Sequence, residues 1–319
     1  MKVKEGKYRG DQLALLIPTK DRPDKLHTLL DSISGQSVKC SRVLVIDGGE
    51  RVDHIVSEFK DHLTISYYRC IPPGQIRQRN LGISNLRNQE DLVGFLDDDL
   101  VLEPDAIEAM IDCWNRVEPD TAGIGFNIIN AGRHQYSHLM GIMLADSRKH
   151  GAVIISGSNS GIHGLTFDTR SQWLGGGYTI WRKEILEIYP NEYMPTKWAI
   201  GEDLNYSYPI GQKYPLYVCA GAKVRHEHVY DQAPPDSVHR YRGRQVTLAR
   251  TRFVLKNRNL SKVACLWMLA SLAMATLVLN IYRQDRSGIK NALGQIEGVI
   301  YSVMAVIWQV DIDRLMMDP

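Results

Sequence analysis

Residues 93–107 read VGFLDDDLVLEPDAI, an apolar run followed at once by three aspartates. A short apolar run is typical of a buried strand, and the proline with apolar residues after it predicts the first turn of a helix. The three carboxylates repel one another, so their place at a strand end needs a physical reason. A divalent cation would relieve the repulsion, because Mg²⁺ and Mn²⁺ prefer oxygen ligands. The alternative is a solvated acidic turn that caps the helix.

The sequence before this segment alternates short apolar runs with stretches of helical periodicity. Strands are predicted at residues 13–18, 42–49, 63–70 and 91–99, which read LALLIP, RVLVIDGG, LTISYYRC and DLVGFLDDD. Helices are predicted between and after them, so the pattern favours an α/β fold with a parallel sheet and right-handed crossovers. Ligands of such sheets bind at the carboxyl ends of the strands. Thr19, Asp47 and the three aspartates fall at such ends, which predicts a binding site there.

The alternation breaks after about residue 120. Strands of a smaller mixed sheet are predicted within GIGFNIINAG (123–132) and GAVIISG (151–157), and LGGGYTI (174–180) is predicted to be a loop. A helix is predicted at EDLNYSYPIGQ (202–212) and a strand within YPLYVCAGAKVRHEH (214–228). We expect one domain over residues 1–235, with halves at 12–120 and 121–235, and a separate region at 236–319.

The overall composition argues against several classes of protein. A net charge of +2 gives no global field that would demand a nucleic-acid partner. The five cysteines are scattered without a CxxC pair, which predicts reduced thiols in the cytosol and neither disulfides nor a zinc site. The N-terminus has no apolar run, so no signal peptide is expected. The sequence has no GxGxxG fingerprint and no GxxxxGKS/T loop, which argues against a dinucleotide oxidoreductase and a P-loop kinase.

The C-terminal region segregates charge from apolar residues. No Asp or Glu occurs from Ser237 to Gln284, residues 239–262 carry eight Lys and Arg, and residues 263–282 are uncharged over about a membrane thickness. Three interpretations stay open: a membrane span, a helix in the membrane plane beside a basic surface, and a buried helical hairpin or oligomer contact. Both flanks of the apolar stretch are basic, so the positive-inside rule sets no orientation.

The order of these motifs resembles that of a family 2 glycosyltransferase of the GT-A fold. The matching segments are IPTKDRP, VLVIDGG, GQIRQRNLGI, VGFLDDDLVLEPDAI, GGGYTIWRKEIL and GEDLNYSYPIGQKYPLYVCAGAKVRHEH, and they cover roughly residues 12–230. The resemblance implies a Rossmann-like mixed, mostly parallel sheet flanked by helices, with a C-terminal helical, apolar extension. Residues 12–120 would form the nucleotide-binding half of the catalytic domain and residues 121–235 the acceptor half.

The resemblance also assigns donor contacts to positions that match the family motifs. These positions are Thr19, Arg22, Asp47, Arg79, Asn80, Asp97, Asp98 and Gly177. Asp47 would read the base, although an acid before two glycines is also typical of a turn. Asp21 stands where the family usually has asparagine. Gly176 and Gly177 would let the backbone approach donor and acceptor.

Metal and base roles follow from the same resemblance. It places a divalent cation, Mg²⁺ or Mn²⁺, on Asp97, Asp99 and His226, with His228 as an alternative ligand. It assigns the general base to Asp203, for which an acid that interacts with a helix dipole is the alternative. These roles fit sugar transfer, because a cation neutralises the leaving diphosphate and one carboxylate deprotonates the attacking hydroxyl. An inverting displacement needs no protein nucleophile, and no serine-elbow pattern is present.

The sequence therefore predicts a metal-dependent, inverting hexosyl- or deoxyhexosyltransferase. It would move one sugar from a nucleotide-diphosphate sugar to a glycan or lipid-linked glycan, because the QxxRW signature of processive members is absent. We expect a role in polysaccharide biosynthesis, a cytoplasmic location at the inner face of the membrane, and self-association through the apolar tail. The alternatives are a non-catalytic nucleotide- or sugar-binding protein on the same fold and a nucleotidyltransferase, which the segment IPTKDRP in place of a GxGTR loop disfavours.

Overall fold

The computed structural model describes residues 7–195, 199–227 and 236–317. The chain divides into two compact units. The first comprises Met1–His134, Gly161–Glu192 and Tyr206–His228, and the second comprises Gln135–Ser160, Tyr193–Asn205 and Val229–Pro319. This division differs from the expected boundary at residue 235, because two earlier segments join the C-terminal helices in the second unit.

The first unit is built on a mixed sheet of nine strands among the described residues. The strands are β1 (Leu13–Thr19), β2 (Arg42–Asp47), β3 (Ile65–Arg69), β4 (Leu92–Leu96), β5 (Leu100–Leu102), β6 (Gly123–Ile128), β7 (Thr169–Ser171), β8 (Tyr178–Arg182) and β9 (Leu216–His226). Their order across the sheet is β3-β2-β1-β4-β8-β6-β9-β5, and β7 pairs with β9. Strands β5, β7 and β8 run against the other six, so the predicted α/β class with a mostly parallel sheet is confirmed.

Helices connect and flank these strands. In chain order they are α1 (Pro23–Ser34), α2 (Asp53–Glu58), α3 (Gln75–Ser84), α4 (Ala106–Trp114), α5 (His138–Ile142), α6 (Lys183–Ile188), α7 (Glu202–Gly211), α8 (Asp236–Lys256), α9 (Lys262–Tyr282), α10 (Arg286–Ile307) and α11 (Ile312–Met317). In α1, Pro23 opens the helix, where a missing N–H costs nothing, and Gly35 follows its end. Leu26, Leu29 and Leu30 recur on one face and are fully buried.

Two later segments differ from their predictions. LGGGYTI was expected to be a loop, but Tyr178 begins β8, which pairs antiparallel with β4 and β6. The later strands therefore extend the first sheet and do not form a smaller second one. GAVIISG was expected to be a strand, but it forms a single bridge between Val153 and Asn159. The reason is local, because Gly157 turns the chain with φ of +83° and the Ser158 hydroxyl bonds the Ala145 carbonyl at 2.8 Å.

Helices α8 and α10 of the second unit approach each other closely through small residues. A Cβ on Gly294 would lie 1.9 Å from the Arg240 carbonyl oxygen, and a Cβ on Gly243 would lie 2.1 Å from the Asn291 carbonyl oxygen. Small residues at a helix interface allow such backbone approach. The predicted C-terminal helical, apolar extension is therefore confirmed, with α9 as its apolar helix.

Candidate functional site

The predicted site residues of the first unit lie at the carboxyl ends of adjacent parallel strands. Strands β1 and β2 pair so that Thr19 is opposite Asp47, and β4, the other neighbour of β1, ends one residue before Asp97. Helix α3 is fixed at this edge by the side-chain amide of Gln78. The amide donates to the carbonyl oxygens of Thr19 and Ile46 at 2.9 and 2.6 Å. The sheet thus brings together side chains that are far apart in the sequence.

Asp97 is held by α3 and by the glycine segment before β8. Its Oδ1 accepts hydrogen bonds from Gln75 at 3.1 Å and from Arg79 at 3.4 Å. Its N–H donates to the Gly177 carbonyl at 2.7 Å, and a Cβ on Gly177 would lie 1.9 Å from Asp97 Oδ2. Only glycine fits at that position without moving the carboxylate. The Asp97 side chain stays 31% exposed, so a ligand can reach it.

Asp98 is buried and pairs with the end of β1. Its Oδ2 accepts a hydrogen bond from the Thr19 hydroxyl at 2.7 Å, and its Oδ1 accepts one from Arg22 at 3.1 Å. Burial raises the pKa of Asp98, and the Thr19 hydrogen bond and the Arg22 charge oppose that rise. Burial disfavours the charged form of Arg22, but the charge and hydrogen bond of Asp98 outweigh it and raise the pKa of Arg22. The middle acid therefore positions Thr19 and Arg22, and its predicted donor contact stays a prediction.

Asp99 faces the end of β9. Its Oδ1 lies 2.9 Å from Nε2 of His226, and its Oδ2 lies 3.3 Å from the guanidinium of Arg22. Backbone pairing fixes this geometry, because Leu100, the residue after Asp99, lies opposite His226 in the β5–β9 ladder. The Glu227 N–H then donates to the Asp99 carbonyl at 2.8 Å. Asp99 and His226 are thus held together by the sheet itself.

Strand β9 carries an irregularity before it reaches His226. Its register with β6 jumps from Cys219, opposite Phe126, to Lys223, opposite Asn127. The side chain of Asn127 compensates for part of the lost ladder, because its amide donates to the Ala220 carbonyl at 3.1 Å. Such bulges bend a strand, and after this one β9 pairs with β5.

Asp47 is fully buried and both of its oxygens already have partners. Oδ1 accepts the Gly49 N–H at 2.7 Å, which is the turn role considered from the sequence. Oδ2 accepts from the Tyr67 hydroxyl at 2.7 Å and from Arg69 at 2.5 Å. Burial and the hydrogen bond to Asp47 raise the pKa of Tyr67. Recognition of a base by Asp47 stays a prediction.

Asp21, the residue that replaces the family's asparagine, has a left-handed backbone with φ of 55°. Asparagine and aspartate are the non-glycine residues that adopt this region most readily, so the exchange preserves the turn. The Asp21 carboxylate accepts the Glu50 N–H at 2.8 Å, and a Cβ on Gly49 would lie 2.2 Å from it. Asp21 therefore joins the loop after β1 to the loop after β2.

Sequence reasoning missed two residues of this region. Gln75 binds Asp97, yet GQIRQRN was interpreted only through Arg79 and Asn80. His163 packs its ring against Tyr178 at 5.7 Å between centroids, and Nδ1 of His163 has no hydrogen-bond partner among the described residues. Burial lowers the pKa of His163 to about 4, and the charge of His226 contributes. No local motif in GSNSGIHG could have indicated His163, because its neighbours Tyr178 and His226 come from other strands.

Asp203 belongs to the second unit, where it lies in the first turn of α7. Burial lowers the pKa of Arg250 in the same unit, and the charge of Asp203 opposes that change. Its predicted role as general base stays a prediction. Asn80 donates to the Asn191 carbonyl at 3.3 Å, and the predicted alternative ligand His228 lies outside the described residues.

The donor set at this edge suits a divalent cation. It consists of carboxylate oxygens, which suit both Mg²⁺ and Mn²⁺, and the imidazole of His226, which suits a transition metal such as Mn²⁺ better than Mg²⁺. Asp99 and His226 already meet, while Asp97 turns to α3. The donor atoms of Asp97, Asp99 and His226 do not all lie within 4.8 Å of one another. The structure thus brings two of the three predicted ligands together.

Comparison with known proteins defines the class. The sequence model described as glycosyl transferase family 2 matches residues 14–173, which is 160 of 319 residues. The chain belongs to this family and is a glycosyltransferase of the GT-A fold. The non-catalytic binding protein considered from the sequence is therefore set aside. Comparison with curated proteins finds no match.

Several solved glycosyltransferases share the fold. The S. aureus TarS fragment 1–349 has a TM-score of 0.57 at 14% identity, over 96% of this chain and 83% of that one. The mannosyltransferase PcManGT from Pyrobaculum calidifontis, solved with GDP-Man and Mn²⁺, has a TM-score of 0.55 at 15% identity, over 95% and 89%. GalNAc-T7, solved with UDP, GalNAc and Mn²⁺, has a TM-score of 0.58 at 13% identity, over 92% and 57%. At these identities the likeness concerns the fold.

The contact between Gly177 and Asp97 generates a first prediction. In Gly177→Ala the new Cβ would displace the Asp97 carboxylate, and a misplacement of about 1 Å costs on the order of a hundredfold in rate. We expect that loss in the release of nucleoside diphosphate from the sugar donor, with a nearly unchanged melting temperature. The matched control is Gly35→Ala, whose Cβ would meet its nearest neighbour, the Asp31 carbonyl oxygen, at an ordinary 3.7 Å. Equal rates in both variants would contradict the positioning role of Gly177.

Proposed function

We propose that this glycosyltransferase is metal-dependent and inverting, and that it moves one hexose or deoxyhexose from a nucleoside-diphosphate sugar to a glycan. The observation that carries the proposal is the pair Asp99 and His226, held 2.9 Å apart next to the exposed carboxylate of Asp97. The three residues lie at the carboxyl ends of strands, where open α/β sheets bind their ligands. Two neighbours of the same fold were solved with Mn²⁺ and a nucleotide or nucleotide sugar, which supports a cation here.

Different residues around the three aspartates would contact different parts of the sugar donor. Arg22 pairs with Asp98 and Asp99 but is half-exposed, so a phosphate could approach it, whereas Arg79 is buried and would orient Asp97. Thr19 and Asp98 would shape the floor under the nucleoside, with Asp47 toward the base. A cation held by Asp97, Asp99 and His226 would neutralise the leaving diphosphate. The remaining work of this half is positioning, which is itself a large part of catalysis.

The acceptor hydroxyl must lose its proton as it attacks, and we assign this step to Asp203. One carboxylate suffices as general base. A single displacement inverts the anomeric centre, because the hydroxyl enters from the face opposite the leaving diphosphate. The new bond joins the acceptor oxygen to the anomeric carbon, and the bond to the diphosphate breaks.

A thermal-shift panel tests the donor site. We expect one of UDP, GDP, dTDP and CMP to raise the melting temperature with Mn²⁺ or Mg²⁺ present, because a ligand at a hundred times its Kd stabilises by about 2.7 kcal/mol. Asp99→Asn should abolish the metal-dependent part of the shift. Asp120→Asn, at an exposed carboxylate of the same unit, should retain it. A shift that needs no metal, or one that Asp99→Asn leaves intact, would refute the cation site.

A second comparison tests the base. Asp203→Asn should lower kcat by about 10²- to 10⁴-fold, the usual contribution of a general base, while the nucleotide-induced shift persists. Glu202→Gln is the matched control, because Glu202 occupies the same first turn of α7. If Asp203 acts only on the helix dipole, both variants should lose about 0.3–1 kcal/mol of stability and keep their rates.

We further propose that the enzyme works at the cytoplasmic face of a membrane on a lipid-linked glycan, in polysaccharide biosynthesis. Helix α9 is long and apolar enough to cross a membrane, by length and composition. One of its faces is buried in the second unit, by residues such as Cys265, Met268 and Ala273. The other face exposes an apolar stripe, defined here as Val263, Trp267, Met274, Val278 and Ile281.

The buried face between Cys265 and Ala273 favours a helix in the membrane plane over a span for this part of α9, because a span would expose that face to lipid as well. The stripe continues onto α5, since the Trp267 indole donates to the Ile142 carbonyl at 3.2 Å and the Ile142 side chain is exposed. Lys262 and Arg283 stand at the two ends of α9, where they would attract anionic lipid headgroups.

Vesicle co-sedimentation tests this location. The double variant Met274→Glu/Val278→Glu places two charges on the stripe, and we expect about a tenfold or larger loss of binding to vesicles that contain phosphatidylglycerol. Ile188→Glu, at an exposed apolar residue of α6, should bind as the wild type does. Unchanged binding of the double variant would refute the proposal. Loss of a lipid-independent dimer in sedimentation velocity would replace it with self-association through α9.

A further inference from the structure

A second cluster of ligating side chains lies in the first unit, outside the site at the strand ends. The cysteines appear scattered in the sequence, but folding brings Cys113 of α4 and Cys219 of β9 together with Asp168, which precedes β7. Their two sulfur atoms and a carboxylate oxygen all lie within 4.8 Å of one another. Both cysteine side chains are fully buried.

The spacing matches a tetrahedral metal site. Zinc binds thiolate at about 2.3 Å and carboxylate at about 2.0 Å, which places neighbouring ligands about 3.5–3.8 Å apart. Cys113 Sγ lies 3.7 Å from Asp168 Oδ2. We propose that Cys113, Cys219 and Asp168 bind a thiophilic divalent cation of the zinc class. The fourth ligand would be water, because the Asp168 side chain is 31% exposed and opens the cluster to solvent.

Two hydrogen bonds from neighbouring groups fix the orientation of the Asp168 carboxylate, as hydrogen bonds to metal ligands do in known metal sites. The Ala220 N–H donates to Asp168 Oδ1 at 2.9 Å, and Arg116 donates to Oδ2 at 2.9 Å. Charge also balances. Two thiolates and one carboxylate exceed the charge of a divalent ion by one negative unit, and the guanidinium of Arg116 neutralises that unit.

Binding forms two metal–sulfur bonds and one metal–oxygen bond, and each thiol releases its proton to solvent. The ion would fasten α4 to β9, the strand that ends at His226.

A cobalt titration of the reduced full-length protein tests the site without any nucleotide. We expect thiolate-to-cobalt charge-transfer absorption that saturates at about one equivalent and is bleached by Zn²⁺. Cys113→Ser and Cys219→Ser should each weaken binding by more than the 10- to 100-fold seen for second-shell changes. Cys265→Ser, at a buried cysteine of the second unit, should bind as the wild type does. No charge-transfer absorption in the wild type, or absorption that survives in both serine variants of the cluster, would overturn the proposal.

A variant-free measurement covers the case in which a serine variant fails to fold. Alkylation of the wild-type protein is followed by peptide mass spectrometry with and without Zn²⁺. Zinc should slow modification of Cys113 and Cys219 about tenfold or more and leave Cys265 unchanged. Equal rates at Cys113 and Cys219 with and without zinc would overturn the proposal.

Discussion

The repulsion among three adjacent carboxylates is the constraint around which the first unit is arranged. Unpaired charges this close to a buried strand would destabilise the fold. Each acid forms a hydrogen bond with a different element. Asp97 binds α3, Asp98 binds the end of β1, and Asp99 binds the end of β9. The acidic triplet is therefore no solvated turn. It is the junction where four separate segments of the chain meet.

This junction explains features that lie far from it. Arg22 serves two acids at once, so the loop after β1 must come close to the end of β4. Gly177 is required because Asp97 occupies the space of its side chain. The pairing of β8 with β4 places Gly177 beside Asp97, and the pairing of β9 with β5 places His226 beside Asp99. Long-range strand pairing, more than local sequence, thus decides where the polar groups converge.

Sequence periodicity predicted the elements that are regular and missed those set by distant partners. Strands β1, β2 and β4 are buried throughout and centre on continuous apolar runs, so their carboxyl ends could be located to within three residues. LGGGYTI was misassigned because three glycines suggest a turn, whereas β4 and β6 supply the pairing for Tyr178 onward. Cys113 and Cys219 gave no motif, since only the fold brings them together. The predicted roles of Asp203 and His226 came from the family resemblance and not from spacing.

The irregular stretch at residues 220–222 of β9 has a consequence for how the chain tolerates change in length. His226 is positioned by its own partner Leu100, one residue beyond Asp99, and by the pairing of Lys223 and Val224 with β6 after the bulge. The β6 pairing before the bulge does not set its place. An insertion or deletion of one residue within the bulge would therefore change only the irregular backbone between the two paired halves of β9. The half that carries His226 would keep its pairing, and the distance between the His226 imidazole and the Asp99 carboxylate would stay the same.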